Sequence, residues 1–159
     1  MKQSIAFGIE KIGAPCFIVN CKGQDLYFLL DTGSSENHLV EYTYKFFTEY
    51  YDDVIKDEEG NFVTRSVSGS VECKKCSFTF SIGRVQLEDS FVVLPNTQVF
   101  VGLSERMGVP LAGILGGRFL KKNGIVIDYG SQCVYTKRRK KGVNDNSKVY
   151  RKIIQKYTS

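Results

Sequence analysis

The sequence contains a single histidine, His38, and this scarcity excludes several classes of enzyme chemistry. A HExxH metal site needs two histidines, and a serine or cysteine nucleophile would have to use His38 as its base. A cysteine paired with His38 stays open as a nucleophile, but nothing in the sequence directs a particular cysteine towards it. The GxSxG, GxGxxG and GxxxxGK[ST] motifs are also missing. We therefore expect neither a nucleotide enzyme nor a histidine-dependent hydrolase.

Long apolar runs are missing as well. No stretch approaches the roughly 18 residues that a membrane-spanning helix requires. The opening residues, MKQSIAFGIE, lack the continuous apolar segment of a secretory signal. We therefore expect a cytoplasmic protein without membrane contacts. In that compartment the five cysteines, an odd number, are expected to be reduced thiols.

Cys73 and Cys76 form a lone CxxC pair. A structural zinc ion needs about four ligands, and the other candidates are scattered cysteines and His38. We expect a structural role for the pair, and we predict no metal and no other cofactor.

Positive charge is concentrated at the end of the chain. The formal net charge is +5, but residues 1–136 carry 13 Lys/Arg against 16 Asp/Glu, and residues 137–159 carry 9 against 1. The latter segment lacks interleaved aromatics near its basic run, so we expect a solvated tail, partly helical or disordered, rather than a nucleic-acid-binding arm. We therefore do not expect nucleic acid as a partner.

Patterns of turns and apolar residues predict a mostly β chain. Apolar segments separated by Gly or Asn turns predict hairpins at 15–31 and 124–135, and further antiparallel hairpins from 62 to 94. Aromatic residues at three-to-four spacing predict one longer helix from Glu41 to Lys56, followed by a polar loop at 57–61. We expect one domain at 1–136 and the basic tail at 137–159.

Asp31 stands at the end of a strand, Leu26–Leu30, that is apolar at nearly every position and so is expected to be buried on both faces. A charged group delivered from the interior is costly unless it is hydrogen-bonded or used. Gly33 lets the chain turn sharply and lets another backbone approach. The same loop has three hydroxyl groups, those of Thr32, Ser34 and Ser35. They can form hydrogen bonds with the carboxylate or with the backbone of the loop.

Four segments, in order along the chain, resemble the retropepsin-like aspartic proteases and cover most of residues 9–136. They are the strand and loop 29–35, the strands around 67–71, the segment Ile114-Leu115-Gly116 with the helix after it, and the strand 124–129. Each is common alone, but together they are specific. The resemblance implies a mostly β, closed, barrel-like acid-protease half-domain, with one longer helix and a short helix after Ile114-Leu115-Gly116-Gly117.

The resemblance also implies a chemistry. Aspartic proteases hold two carboxylates together, one ionised and one protonated, and use them to activate water. This sequence has no second Asp-Thr/Ser-Gly, because Asp128-Tyr129-Gly130 differs at its middle residue. The second acid is therefore expected to be Asp31 of another copy, across a two-fold axis. We expect a homodimeric aspartic endopeptidase that acts on a peptide or protein substrate.

Supporting roles also follow from the resemblance. Thr32 is expected to reach the partner's loop, Gly33 to offer backbone contacts to substrate, and Ser34 to bond the outer carboxylate oxygen, with Ser35 in the same loop. The flap over the peptide would be formed by Ser68, Gly69 and Ser70. The segment crossing beside the catalytic strand, the psi-loop, would comprise Ile114, Leu115 and Gly116.

Three positions depart from the retroviral pattern. Ser34 replaces the usual Ala, and an extra bond to the ionised acid is expected to lower the working pH. Ser35 and Gly117 replace an Asp and an Arg that brace the retroviral dimer, so we expect residues 1–10 and the segment after Tyr135 to hold this one. One alternative stays open, a catalytically silent peptide-binding or assembly module with the same fold.

Overall fold

The computed structural model describes residues 1–66 and 69–137, and these ranges contain ten strands and four helices. The strands are β1 (Lys2–Ser4), β2 (Cys16–Cys21), β3 (Gln24–Asp31), β4 (Asn37–Val40), β5 (Ile55–Ser66), β6 (Gly69–Ile82), β7 (Val85–Leu94), β8 (Leu111–Gly116), β9 (Ile125–Asp128) and β10 (Cys133–Thr136). The helices are α1 (Ala6–Ile12), α2 (Glu41–Tyr50), α3 (Gln98–Met107) and α4 (Gly117–Lys122).

The strands form a ring and a smaller sheet. The larger sheet has the order β2-β3-β8-β4-β7-β6-β5, and β2 also pairs with β6 through Asn20 and Ser81. The ring therefore closes at one residue pair, with β5 attached outside it to β6. The smaller sheet, β1-β10-β9, is antiparallel. The mostly β architecture predicted from the sequence is confirmed.

The central strand β3 is covered on both faces, as its apolar sequence predicts. Phe28 and Leu30 belong to the larger hydrophobic cluster, whereas the half-buried Tyr27 and Leu29 pack against a second cluster. The Phe28 ring lies 6.0 Å from that of Phe91 on β7. Because apolar contacts fix this strand from both sides, its last residue emerges at a well-defined place.

The hairpins predicted at 15–31 and 124–135 are confirmed. β2 and β3 meet at Lys22-Gly23, and β9 pairs with β10. The predicted helix from Glu41 is too long, because α2 ends at Tyr50 and strand β5 begins at Ile55. The expected polar loop at 57–61 lies inside β5, where the register shifts between Glu58 and Phe62. A bulge therefore accommodates this polar stretch.

Two helices were not predicted. The sequence indicated one longer helix, but α2 and α3 both have ten residues, and α1 precedes β2. The hydroxyl of Thr97 caps α3 by accepting from the Phe100 amide at 3.4 Å, and Gly108 ends the helix with a φ of 71°. The expected short helix after the psi-loop is present as α4.

The ends of the domain pair with each other. β1 lies antiparallel to β10, so residues 2–4 and 133–135 form part of one sheet within the chain. Of the predicted basic tail, Lys137 belongs to the described part of the chain and 138–159 lie outside it. The division at residue 136 stays a prediction. Among the helices within 1–66 and 69–137, none combines the length and the apolar character needed to cross a bilayer.

Candidate active site

Asp31 ends β3 and pairs in parallel register with Gly116, the last residue of β8. Leu29 and Leu30 likewise lie opposite Ile114 and Leu115. Neighbouring strands are about 4.8 Å apart, so the predicted psi-loop runs directly beside the acid. The two segments meet again one residue further on, where the Gly117 amide donates to the Ser34 carbonyl at 2.7 Å. We call residues 31–36 the acid loop.

The Asp31 side chain is exposed and partly held by its own loop. Its Oδ1 accepts a hydrogen bond from the Gly33 amide at 2.8 Å, and the Ser34 amide donates to its main-chain carbonyl at 3.3 Å. The Thr32 side chain is exposed, and its hydroxyl has no hydrogen-bond partner in the described ranges. One chain therefore presents an oriented carboxylate and an available hydroxyl on the same exposed turn.

The Ser34 hydroxyl is directed away from the acid. It donates to the Glu36 carbonyl at 2.8 Å and lies 3.5 Å from Nδ1 of His38. A hydroxyl has one hydrogen to donate, so in this arrangement it does not make the bond to the outer Asp31 oxygen that the resemblance implied. Ser34 thus stabilises the acid loop from within. Ser35 is exposed and borders the polar cavity described below.

Asn37 ties the end of the acid loop to two other strands. Its Oδ1 accepts from the Gly116 amide at 3.0 Å, and its Nδ2 donates to the Ser90 carbonyl on β7 at 3.2 Å. The side chain is only 6% exposed. Losing one partner of a buried hydrogen bond leaves the other unsatisfied, so both bonds hold the loop firmly.

Glycines allow the acid loop and β4 to lie against β8 and the start of α4. A Cβ atom at Gly113 would lie 2.0 Å from the His38 carbonyl oxygen, and one at Gly116 would lie 2.3 Å from that of Glu36. At Gly117 it would lie 3.1 Å from the Thr32 carbonyl oxygen. The Arg that braces retroviral dimers at this last position could not be accommodated without some movement of the loop.

Burial holds His38 and the two thiols of the CxxC pair towards their neutral forms. Burial lowers the pKa of His38, with Glu36 and Asp31 acting in the opposite direction, so the ring is held towards its neutral form. Burial raises the pKa of the Cys76 thiol to about 12, and also raises that of Cys73. These two thiols lie three residues apart on β6, where successive side chains alternate between faces, so they project in opposite directions.

A polar cavity of about 310 Å³ adjoins the acid loop. Glu36 accepts a charged hydrogen bond from Arg118 at 2.9 Å, and its other oxygen faces Lys75 at 3.8 Å. Lys122 and Asp89, which also line the cavity, lie 3.0 Å apart. No sequence signal indicated this group or Asn37, because their partners are distant along the chain and match no short motif.

The predicted flap falls on the hairpin of β5 and β6. Gly69 pairs with Ser66 at the far end of this hairpin, and Gly69 and Ser70 are both exposed. Gly69 has a φ of 131°, which favours glycine. Ser68, the third predicted flap residue, lies outside the described residues.

Comparison of the fold identifies its type. No protein-family model and no curated protein sequence matches the chain. The retroviral protease-like domain of Ddi1 from Leishmania major, however, has a similar structure, with a TM-score of 0.50 and 12% identity. The match covers 79% of this chain and 88% of that one. The chain has a retropepsin-like fold. In this retropepsin-like fold, the exposed end of β3 carries Asp31, and β8, which contains the predicted psi-loop residues, runs beside it.

Proposed function

We propose that the chain is one subunit of a homodimeric aspartic endopeptidase, with one Asp31 carboxylate from each copy. The observation that carries this proposal is the exposed Asp31 carboxylate, oriented by the Gly33 amide at the end of a strand buried on both faces. The sequence has no second Asp-Thr/Ser-Gly motif that could supply the other carboxylate. A two-fold axis beside Asp31 would bring the residue next to its own image.

In the proposed reaction, the two carboxylates share one proton, because two like charges at such short distance cannot both ionise. The ionised acid takes a proton from a water molecule that attacks the scissile carbonyl carbon. The protonated acid donates to the carbonyl oxygen, and the leaving nitrogen is protonated as the C–N bond breaks. Both the attacking oxygen and the protons come from water and the acid pair, so no covalent intermediate is needed.

The remaining site residues support the proposal as parts of a binding cleft. The Thr32 hydroxyl is available to donate to the partner's loop, and the symmetric contact would occur twice. An extended peptide would lie between the acid loops and the exposed ends of the two β5–β6 hairpins, with Ser68, Gly69 and Ser70 as the flap tip. Backbone hydrogen bonds, to Gly33 among others, would supply affinity and side-chain pockets would supply selectivity.

Cleavage of a random peptide pool tests the proposal. The native chain is incubated with the pool between about pH 4 and 7, and new termini are identified by mass spectrometry. We expect cleavage by the native chain and by Asp52→Asn, which removes the same charge from an exposed site. Asp31→Asn is expected to lose activity by at least about 100-fold.

The result also separates the protease from the silent binding module. Equal cleavage by the native chain and Asp31→Asn would show that another group, or a contaminant, performs the hydrolysis. No cleavage by either, with peptides still retained on the immobilised protein, would favour the binding module instead.

A further inference from the structure

The polar cavity beside the acid loop has an imbalance of charge. Its lining includes three cations, Lys75, Arg118 and Lys122, but only two carboxylates, Glu36 and Asp89. It therefore carries one surplus positive charge. Ser35, Asn37, Ser90 and the buried Phe119 complete the lining.

The two carboxylates are already engaged by their neighbours. Glu36 faces Arg118 through Oε1 and Lys75 through Oε2. Asp89 accepts from Lys122 through Oδ2 and from the Ser90 amide through Oδ1. Each acidic oxygen in the cavity thus has a partner, and neither carboxylate is well placed to attract a further cation.

The cations, by contrast, have donors to spare. Arg118 has five N–H groups, and its contact with Glu36 is made through Nη1 alone. Its side chain is 76% exposed, and that of Lys122 is 64% exposed. A planar guanidinium with unused donors is suited to bind a carboxylate through two parallel hydrogen bonds. The surplus positive charge of the cavity, together with donors that no protein group in the described ranges uses, therefore favours an anion.

The position of the cavity connects it with the acid. Arg118 follows Gly116, the register partner of Asp31, by two residues. On the other side, Ser35 and Glu36 belong to the acid loop itself. An extended peptide that follows the acid loop from Asp31, at about 3.3 Å per residue, passes Ser35 and Glu36, which line this cavity.

We infer that this cavity is a specificity subsite for an acidic side chain, Asp or Glu, of the bound peptide. The inference rests on the proposed function in one respect, that a peptide lies along the acid loop. Arg118 would bind the carboxylate, with Lys122 and Lys75 contributing positive charge. Because these groups are partly exposed to water, the preference for Glu over Gln should be moderate, about fivefold.

Retention of peptides on immobilised protein tests the subsite without requiring cleavage. The full chain carrying Asp31→Asn is incubated with a random octapeptide pool in moderate salt, and retained peptides are sequenced by mass spectrometry. We expect Asp and Glu to be enriched about fivefold over Asn and Gln. Adding Arg118→Gln or Lys122→Gln should abolish most of this enrichment. Two variants are used because loss of the Arg118 contact with Glu36 could alter the acid loop.

Lys121→Gln is the matched control. Lys121 lies in the same helix, is exposed, and does not line the cavity, yet its replacement removes the same charge. Enrichment that survives Lys121→Gln but is lost with both cavity variants supports the subsite. Equal loss with all three would mean general attraction to a basic protein, and would overturn it. Absence of retained peptides, or no preference for acids, would overturn it as well.

The same pool separates failure of the subsite from failure of the protease proposal. If the native chain cleaves nothing while the contrast between Arg118→Gln and Lys121→Gln persists, the protease proposal fails and the acidic subsite stands. If cleavage occurs without acidic preference at any position around the cut bond, the subsite fails and the protease proposal stands.

Discussion

Asp31 and Gly116 are register partners at the ends of two parallel strands, and the amide of Gly116 is bound by the side chain of Asn37. Gly116 is thus held beside Asp31 both by strand pairing and by the buried side-chain amide of Asn37. Two local consequences can be measured directly, one steric and one from hydrogen bonding.

The steric consequence concerns Gly116→Ala. The new Cβ atom would lie 2.3 Å from the Glu36 carbonyl oxygen and 2.9 Å from that of Ser34, so the acid loop must shift. We expect the free energy of unfolding to fall by about 1–3 kcal/mol, with loss of peptide cleavage. Chemical denaturation measures this loss of unfolding free energy.

Gly102→Ala in α3 is the control, because nothing lies within 4 Å of the new Cβ atom. It should be neutral or stabilising by up to about 1 kcal/mol. Similar destabilisation by both would contradict the account.

The hydrogen-bonding consequence concerns Asn37→Ala. This change leaves the Gly116 amide and the Ser90 carbonyl without their side-chain partner. The cost is expected to be about 2–4 kcal/mol of unfolding free energy, since both groups are left with unmet hydrogen bonds. Asn96→Ala, which removes one exposed bond to the Tyr42 amide, is the control and should cost less than about 1 kcal/mol. A smaller loss at Asn37 than at Asn96 would show that the buried amide does not hold the loop.

His38 should make the fold less stable in acid. Burial lowers its pKa in the folded chain, so below the ordinary histidine pKa of about 6.5 the unfolded chain binds more protons. Folding stability contributed by neutral His38 is therefore lost as the pH falls through this range. The unfolding free energy of native protein and His38→Gln should be measured by urea denaturation at about pH 7 and pH 5. We expect a smaller decrease for the variant. An equal or larger decrease would show that His38 titrates normally. No other histidine can obscure the comparison.

Thr32→Val removes the available hydroxyl while preserving side-chain shape. If each hydroxyl reaches the partner's loop, two hydrogen bonds are lost per dimer, and dimerisation should weaken by about 1–3 kcal/mol. Sedimentation equilibrium measures the change. Thr48→Val is the matched control, because the Thr48 hydroxyl donates to the Tyr44 carbonyl at 2.9 Å within α2. This variant is expected to leave dimerisation unchanged. Unaltered association of Thr32→Val would remove this contact from the proposed interface.

Local patterns explain which parts of the fold were predictable. The hairpins of β2 with β3 and of β9 with β10 follow from short apolar runs separated by turn residues. The region after Tyr50 was misassigned because Val54 and Ile55 fit a helical spacing as well as a buried strand, and pairing of Ile55 with Phe78 decides for the strand. Helix α3 had readable signals, a threonine cap at Thr97 and a terminal Gly108, which a closer search for helix ends would have found.

The candidate site was predictable where it follows a motif and unpredictable where it depends on distant partners. Asp31 and its turn are visible in the sequence because an apolar strand leads into Asp-Thr-Gly. Asn37 bonds a residue 79 positions away, and Glu36 pairs with one 82 positions away. Such contacts exist only after the ring of strands has formed. The direction of the Ser34 hydroxyl likewise depends on the folded position of the Glu36 carbonyl.

Mixing native chains with chains carrying Asp31→Asn tests most directly whether hydrolysis needs one Asp31 from each of two copies. The two are co-refolded in varied ratios at constant total concentration, and the initial rate of peptide cleavage is recorded. If both acids are required, activity follows the square of the native fraction, so an equal mixture retains about one quarter of the native rate. A linear dependence, with about one half of the rate retained, would show that each chain works with its own Asp31 alone and would contradict the account.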